Sequence, residues 1–568
     1  MATSLSSKER YLIPPGGGGG GGGHGGGHGG GHGGGHLALG DLALSEEWID
    51  SQQKSRRRST IHSYTISTTY HTLPKDANTL KQVRHMTESK AMKNILALSI
   101  AFMFVFTGFV SLQSLQSTLH AEGGLGVVSL SIVYGSTVLS CLLAPWIINR
   151  ITTKWTMVLA FSMYFAYFAA NFYPKHYLLI PLSVMLGALA GPMWSAQATY
   201  VTTLALTFAQ HRRIGDSSDE TINKFMGIFF GFFRCSQIWG NLISAVVLNK
   251  NDTRSRSNSN EDDKRHPLLQ EGYITSRYLI QAITQNNSDS VCGVNTCLLN
   301  RTTADGIYSN PELGPTVVIP DSTKYMLLTT CLGCGLMGIV IVVALLDHCN
   351  VGKRNADPEF EQTSWELFMS TAKMLKDSKC CLLIPLVIFT GLQQGFMFSD
   401  FTKSYVSCTL GFQDIGPILI CFGASSAVSS ISIGYVARHI KRFAFIAAGA
   451  TFNAGLLVVL ALWQPKPHDI PNFYVVAGCL GLCDAIWQTQ TYTLFGVLFS
   501  HKQEAAFASY RMFHATGCAM AFGYSYFLCV ETKVYILSAV LTLALAFYSV
   551  IEMKVQLQSQ HIQDIVAL

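Results

Sequence analysis

This chain is short of charge. Only 13% of its 568 residues are Asp, Glu, Lys or Arg, about half the roughly 25% of a soluble domain. A string of soluble domains, which the length would otherwise allow, is therefore excluded. A chain disordered throughout is excluded too, since disorder goes with high charge and few aromatics, and Phe, Trp and Tyr make up 11% here. Catalytic signatures are also missing: there is no glycine-rich phosphate loop, no paired Cys-X-X-Cys zinc pattern and no His-Glu-X-X-His. The sequence points to no enzyme activity, no cofactor, no metal centre and no nucleic-acid partner.

What is present is apolar. Hydrophobic residues make up 49%, and they gather into runs near the ~20 residues that a spanning helix needs. Twelve such runs are Ile95–Leu115, Gly124–Ile148, Trp155–Tyr173, Tyr177–Leu206, Phe225–Leu248, Tyr325–Leu346, Cys380–Phe401, Ile415–Ala437, Phe443–Trp463, Asn472–Phe499, Ala505–Val530 and Val534–Ile551. The expected fold is an all-α polytopic membrane protein with twelve transmembrane helices. Alternate connections are poor and rich in cations. One set carries Lys175, Lys403, Lys466 and Lys533 singly, and Gln116–Gly123 has none. The other carries Arg150 with Lys154, Arg212 with Arg213, a group from Lys353 to Lys379, then Arg438, Lys441 and Arg442, then Lys502. The positive-inside rule places the second set, and both termini, in the cytosol. The first long run begins only near Ile95, so a signal peptide is not expected.

The expected organisation is a disordered cytosolic tail over 1–93, helices 1–5 over 94–248, an outer loop over 249–324, helix 6 over 325–346, a cytosolic connector over 347–379, helices 7–12 over 380–551 and a short tail over 552–568. Of 50 glycines, 17 lie within residues 16–35, and His24, His28, His32 and His36 recur every fourth residue there. Spaced imidazoles are Zn, Ni or Cu ligands by type, whereas a low-complexity expansion needs no ligand. Arg56-Arg57-Arg58-Ser59-Thr60 is either a positive-inside flank, a lipid-docking stretch or a kinase site at Ser59 and Thr60. Three Asn-X-Ser/Thr sequons, at Asn251, Asn286 and Asn300, fall in the one long outer loop. Confinement to that loop makes them candidate glycosylation sites. Cys292 and Cys297 lie between two of them, and an oxidising compartment favours a local disulfide, with two free thiols as the alternative.

The two halves repeat. Phe106-Thr107-Gly108 in run 1 matches Phe389-Thr390-Gly391 in run 7; Trp194 and Gln197 in run 4 match Trp487 and Gln490 in run 10; Arg234 and Gly240 in run 5 match Arg511 and Gly517 in run 11. Each pair is offset by six helices, the arrangement of two six-helix pseudo-repeats in a major facilitator fold. Only four runs contain a charge: Arg234, Asp400, Asp484 and Arg511. A charge at mid-bilayer costs about 2.5–3.5 kcal/mol or more, so it faces protein or water and has a partner. Arg234 and Asp484 are both near mid-depth and are expected to pair across the halves. Arg511 is shallower, with His514 one turn away, and Asp400 sits at the interfacial end of run 7. The pair is either a clamp between halves or an ion or proton site in a central cavity. Gln113, Gln197, Gln393, Gln394 and Gln490 are the candidate polar lining, while Trp194 and Trp487 are expected to pack.

Several stretches resemble the Unc-ninety-three family: Tyr134-Gly135-Ser136 with Leu139 to Pro145, Ala170-Asn171-Phe172-Tyr173-Pro174, Leu186-Gly187 through Trp194-Ser195-Ala196-Gln197, and Ser236-Gln237-Ile238-Trp239-Gly240-Asn241-Leu242-Ile243-Ser244. The resemblance covers roughly residues 94–550. It implies a twelve-span regulator of partner membrane proteins in the lipid bilayer, with a two-pore-domain potassium channel as the expected partner and the plasma membrane as the expected location. A secondary transporter of a small solute or ion, or a trafficking chaperone for membrane receptors, are the alternatives. One departure concerns mechanism. Working transporters of this fold carry Gly-x-x-x-Asp-Arg-x-Gly-Arg-Arg between helices 2 and 3; here Pro145, Asn149, Arg150, Thr152, Thr153 and Lys154 stand in those positions. After Gly434 the second copy continues as Arg438, His439, Lys441 and Arg442, so the gate-organising Asp is absent from both. On the loop assignment, replacing Asn251, Asn286 and Asn300 together by Gln is expected to abolish the mobility shift produced by N-glycosidase; a shift that persists places glycan elsewhere.

Overall fold

A computed structural model of the chain describes residues 88–119, 125–211, 218–262, 292–297, 321–348, 364–525 and 528–567. The Gly/His repeat, Ser59, Thr60, Asn286 and Asn300 lie outside them. Among the described residues the chain is helical, with no strand. This follows from the apolar runs: hydrocarbon offers no hydrogen-bond partners, and a helix satisfies its backbone within one segment.

The long helices are α1 (Glu88–Leu119), α2 (Leu125–Ser140), α3 (Thr153–Ala170), α4 (His176–His211), α5 (Ser218–Asp262), α6 (Asp321–Leu345), α7 (Ser378–Phe396), α8 (Ile415–Val436), α9 (Arg442–Leu462), α10 (Ile470–Leu498), α11 (Gln503–Tyr524) and α12 (Val530–Ala567). Ahead of Pro145, α2 tightens through a 3-10 turn, Cys141–Leu143, and resumes as Ala144–Ile151. In the same way α7 continues as a π-helix, Met397–Ser407. Nine helices among the described residues are long and apolar enough to cross a membrane. The others of comparable length, α3, α5 and α11, contain Lys154, Arg234 and Arg511. Two helices overrun their expected ends: α5 reaches Asp262 rather than Leu248, carrying Asn251 on a helical extension, and α12 reaches Ala567 rather than Ile551. Hydropathy marks where a run stops being apolar. A helix that is already nucleated continues into polar sequence, adding one hydrogen bond for each residue fixed.

The two halves meet most closely along α5 and α8. A Cβ on Gly227 would lie 2.6 Å from the Ser430 carbonyl and 2.7 Å from Gly434 Cα, so both glycines are needed for the backbones to touch. The internal repeat is visible in the packing. Phe106 meets Trp194 with ring centroids 5.1 Å apart, and Phe389 meets Trp487 at 5.5 Å. Gly240 admits Val110 of α1, and Gly517 admits the Ile388 carbonyl of α7. Leu139, Val428 and Leu462 stand among the exposed apolar side chains, as on a surface that faces lipid.

The expected Cys292–Cys297 disulfide does not form. Cys292 is bonded to Cys408 beyond α7, and Cys297 to Cys529 ahead of α12, with Cα separations of 5.7 and 4.4 Å. The segment Gly293–Asn295 is a 3-10 turn that seats Gly293 beside Pro465, and each cysteine next to it bonds to a different connection. Proximity in sequence was a poor guide because pairing follows the meeting of Cβ vectors. The two bonds fasten the α5–α6 connection onto the second half.

At the opposite end, Asp347 accepts hydrogen bonds from Lys93 Nζ (3.0 Å) and Asn94 Nδ2 (3.2 Å), joining α1 to the end of α6. Burial raises the pKa of this carboxyl, but the bonds from Lys93 and Asn94, with the charges of Lys93 and Lys90, outweigh it and hold it below its ordinary value.

Thr152, at the second glycine position of the transporter motif, has φ +78° and ψ 158°. That region is essentially reserved for glycine, and a β-branched residue there stores about 1–3 kcal/mol. Its side chain forms no cap hydrogen bond. Thr152→Gly is expected to stabilise the protein by about 1 kcal/mol, once the added freedom of the unfolded glycine is subtracted. A thermal melt of the detergent-solubilised protein checks this; an unchanged or lower midpoint contradicts the strain.

Candidate functional site

A cavity of about 370 Å³ lies between the halves, within the range of small-molecule sites. Its polar wall comes from two helix faces. On α5, Arg234, Gln237, Asn241 and Ser244 line it; on α11, Arg511, His514 and Cys518 do. Spacings of three and seven put each set on one face of its helix. Gln113, Gln394 and Gln488 add amides, and Phe106, Phe109, Tyr164 and Phe398 add aromatic wall.

Arg234 and Asp484 meet as expected. Arg234 Nη2 lies 2.6 Å from Asp484 Oδ2, with side chains 2% and 9% exposed. Ser426 Oγ of α8 donates to the same carboxylate oxygen at 3.0 Å. The pair therefore joins α5 of one half to α8 and α10 of the other. Arg234 lines the cavity while Asp484 does not.

The remaining candidates separate. Gln113 and Gln394 line the cavity; Gln197, Gln393 and Gln490 do not. Gln490 Nε2 donates to Asn223 of α5 at 3.1 Å, and Gln393 Oε1 accepts from Asn453 of α9 at 2.7 Å. Gln197 is fully buried. Sequence reading placed these residues on the right helices but not on the right face, because helices 4, 7 and 10 carry apolar residues on every side and show no polar stripe. Asp400 is enclosed by protein and paired: it is 1% exposed, and Lys533 Nζ lies 2.6 Å from its Oδ1. Lys533 follows Cys529, whose disulfide to Cys297 lies beside this pair in sequence. No signal in the sequence marks Lys533, which reads as an ordinary loop cation. Gln237 and Asn241 were findable, since they follow Arg234 at three and seven.

Arg511 pairs with no carboxylate within 4 Å among the described residues. Its guanidinium carbon sits 4.2 Å from the Trp194 ring centre, a cation–π contact. Trp194 is thus both packed against Phe102, Phe106 and Phe233 and exposed to the cavity.

The transporter gate positions have other occupations. Lys154 is buried and donates to the carbonyls of Val343 (3.0 Å) and Leu346 (2.7 Å) at the end of α6, where the helix dipole favours a cation. Arg442 lies 3.4 Å from Asp219 of α5 and 3.7 Å from Glu552 of α12. Thr203 Oγ1 of α4 donates to Gln503 of α11 at 3.0 Å, and Gly496 of α10 abuts Thr202. The end of the bundle opposite the disulfides is therefore bridged by direct contacts between halves.

These features define a multi-pass integral membrane protein of the major facilitator fold. Solved structures with that fold match: the E. coli fucose:proton symporter FucP (TM-score 0.50, 11% identity, 81% of this chain and 99% of that one) and the human transporter MFSD10 (TM-score 0.51, 10% identity, 80% and 99%). At such identities they establish the fold alone. The family described as "Ion channel regulatory protein UNC-93" matches residues 119–548, and the chain belongs to it. Relatives include "Protein unc-93 homolog A" of Bos taurus, 38% identical over 81% of this chain and 93% of its own length, and of Homo sapiens, 37% identical over 82% and 93%. The Caenorhabditis elegans protein named "Putative potassium channel regulatory protein unc-93" is 30% identical over 84% of this chain and 63% of its own.

Breaking the buried pair has a definite expected outcome. Asp484→Ala leaves Arg234 as an uncompensated charge and should cost about 3–5 kcal/mol, whereas the double change Arg234→Met with Asp484→Leu should recover most of that loss. Melting of the purified proteins decides it: equal losses in the single and double variants mean the two residues are not coupled.

Proposed function

We propose that this protein is a non-enzymatic, twelve-span regulator of a partner membrane protein, a potassium channel of the two-pore-domain class, at the plasma membrane. The family to which the chain belongs carries this reading, because the family description itself is that of an ion channel regulator. The loss of the gate-organising Asp supports it. Asn149 and Arg438 stand where the two copies of the motif would have it, and Lys154 and Arg442 are instead committed to static contacts between helices. A protein braced in this way is better suited to standing beside a channel than to cycling rapidly. Two disulfides at one end support placing that end outside the cytosol, in keeping with the cation-poor connections there and with cytosolic termini.

Co-expression with a panel of two-pore-domain channels tests the proposal. At least one channel should change its whole-cell current by twofold or more and should co-purify with this chain. Unchanged current together with no co-purification across the panel overturns it.

A further inference from the structure

We infer that the central cavity binds a small organic monoanion, a carboxylate on an apolar body, and that Arg511 holds the carboxylate. The inference does not rest on channel regulation.

The first observation is a charge count. The cavity lining contains two arginines and no Asp or Glu. Arg234 is matched by Asp484 behind the wall at 2.6 Å. Arg511 is matched by no carboxylate within 4 Å among the described residues. A single uncompensated positive charge remains, in a bundle where such a charge ordinarily has a partner.

The internal repeat shows where that partner is missing. Arg511 is the counterpart of Arg234, and His514 is the counterpart of Gln237, three residues on in each case. Counting three residues back from Trp487 reaches Asp484; counting three back from its counterpart Trp194 reaches Gly191. The first arginine therefore has a carboxylate at the matching position of α10, and the second has a glycine at that position of α4. The chain has no room to supply one there. A Cβ on Gly191 would lie 2.5 Å from Ser140 Oγ and 2.9 Å from Cys141 Sγ. A carboxylate for Arg511 has to come from the cavity side.

The site is also prepared to receive it. The Arg511 guanidinium carbon sits 4.2 Å from the Trp194 ring centre, and a guanidinium presents a planar fork of donors that matches a carboxylate. Buried N–H groups are unused: Arg511 Nε, and Arg234 Nε and Nη1, have no hydrogen-bond partner among the described residues. The wall is otherwise largely apolar, with Phe106, Phe109, Tyr164 and Phe398 among its aromatic members and Val110, Ile415 and Leu419 among its aliphatic ones. One net charge selects a monoanion over a dianion. Walls of this kind select an apolar body over a bare hydrated ion, whose lost hydration they cannot replace. Such an acid could arrive from water as an aromatic carboxylate or from the bilayer as a fatty acid.

The test is isothermal titration of the full-length protein in nanodiscs with two series, 3-phenylpropionate and decanoate, each against its neutral amide and its amine. The acid is expected to bind at least tenfold more tightly than its amide, the amine not at all, and Arg511→Gln to reduce the acid to the level of the amide. An acid preference confined to decanoate assigns the ligand to the bilayer and one shared by 3-phenylpropionate assigns it to water; both uphold the carboxylate. Equal binding of acid and amide in both series overturns the inference, as does a preference that survives Arg511→Gln. Should that variant not fold, phenylglyoxal labelling of Arg511 in the native protein replaces it: the acid should slow labelling at least fivefold and the amide should not, and an unchanged rate overturns the inference.

Discussion

A charged side chain buried in a bundle of apolar helices must be neutralised by protein, and this structure is organised around meeting that requirement. Arg234 meets it with Asp484, and in doing so joins α5 to α10, while Ser426 brings in α8. Asp400 meets it with Lys533, tying α7 to α12. Lys154 meets it with two carbonyls at the end of α6. Each solution is also a contact between helices, so neutralisation and assembly are one arrangement. A buried pair of this sort adds little net stability compared with an apolar pair of the same volume, but losing one partner is expensive.

The repeat explains why one charge is left over. Both halves place a Phe against a Trp and a glycine between their first and fifth helices. On that common frame the arginines of α5 and α11 occupy equivalent places, but only one of them faces an acid. The asymmetry gives the cavity its sign. It also separates the roles of two residues that look alike in the sequence: Arg234 joins the halves through Asp484, and Arg511 lies on Trp194 at the cavity wall.

The ends of the bundle differ for a related reason. At one end two disulfides and the Asp400–Lys533 pair fasten the α5–α6 connection, α7 and α12 to one another. At the other, Arg442 reaches α5 and α12, and Thr203 reaches Gln503. The second end, where both copies of the motif lie, lacks the Asp-centred gate of working transporters of this fold.

The apolar runs, the repeat, the rarity of charge within those runs and the pairing of Arg234 with Asp484 were all legible in the sequence. Each is a one-dimensional quantity: a length, an offset, a rarity or a depth counted along a helix. What the tertiary structure decided was direction. Which amides look into the cavity depends on helix rotation, and on the helices of Gln197, Gln393 and Gln490, apolar on every side, no polar stripe betrays it. Which cysteines bond depends on where Cys408 and Cys529 arrive, far along the chain from Cys292 and Cys297. That Asp400 is buried with Lys533, and that Arg511 lies on Trp194 with no acid beside it, follow from contacts across helices whose relative rotation leaves no trace in composition or spacing.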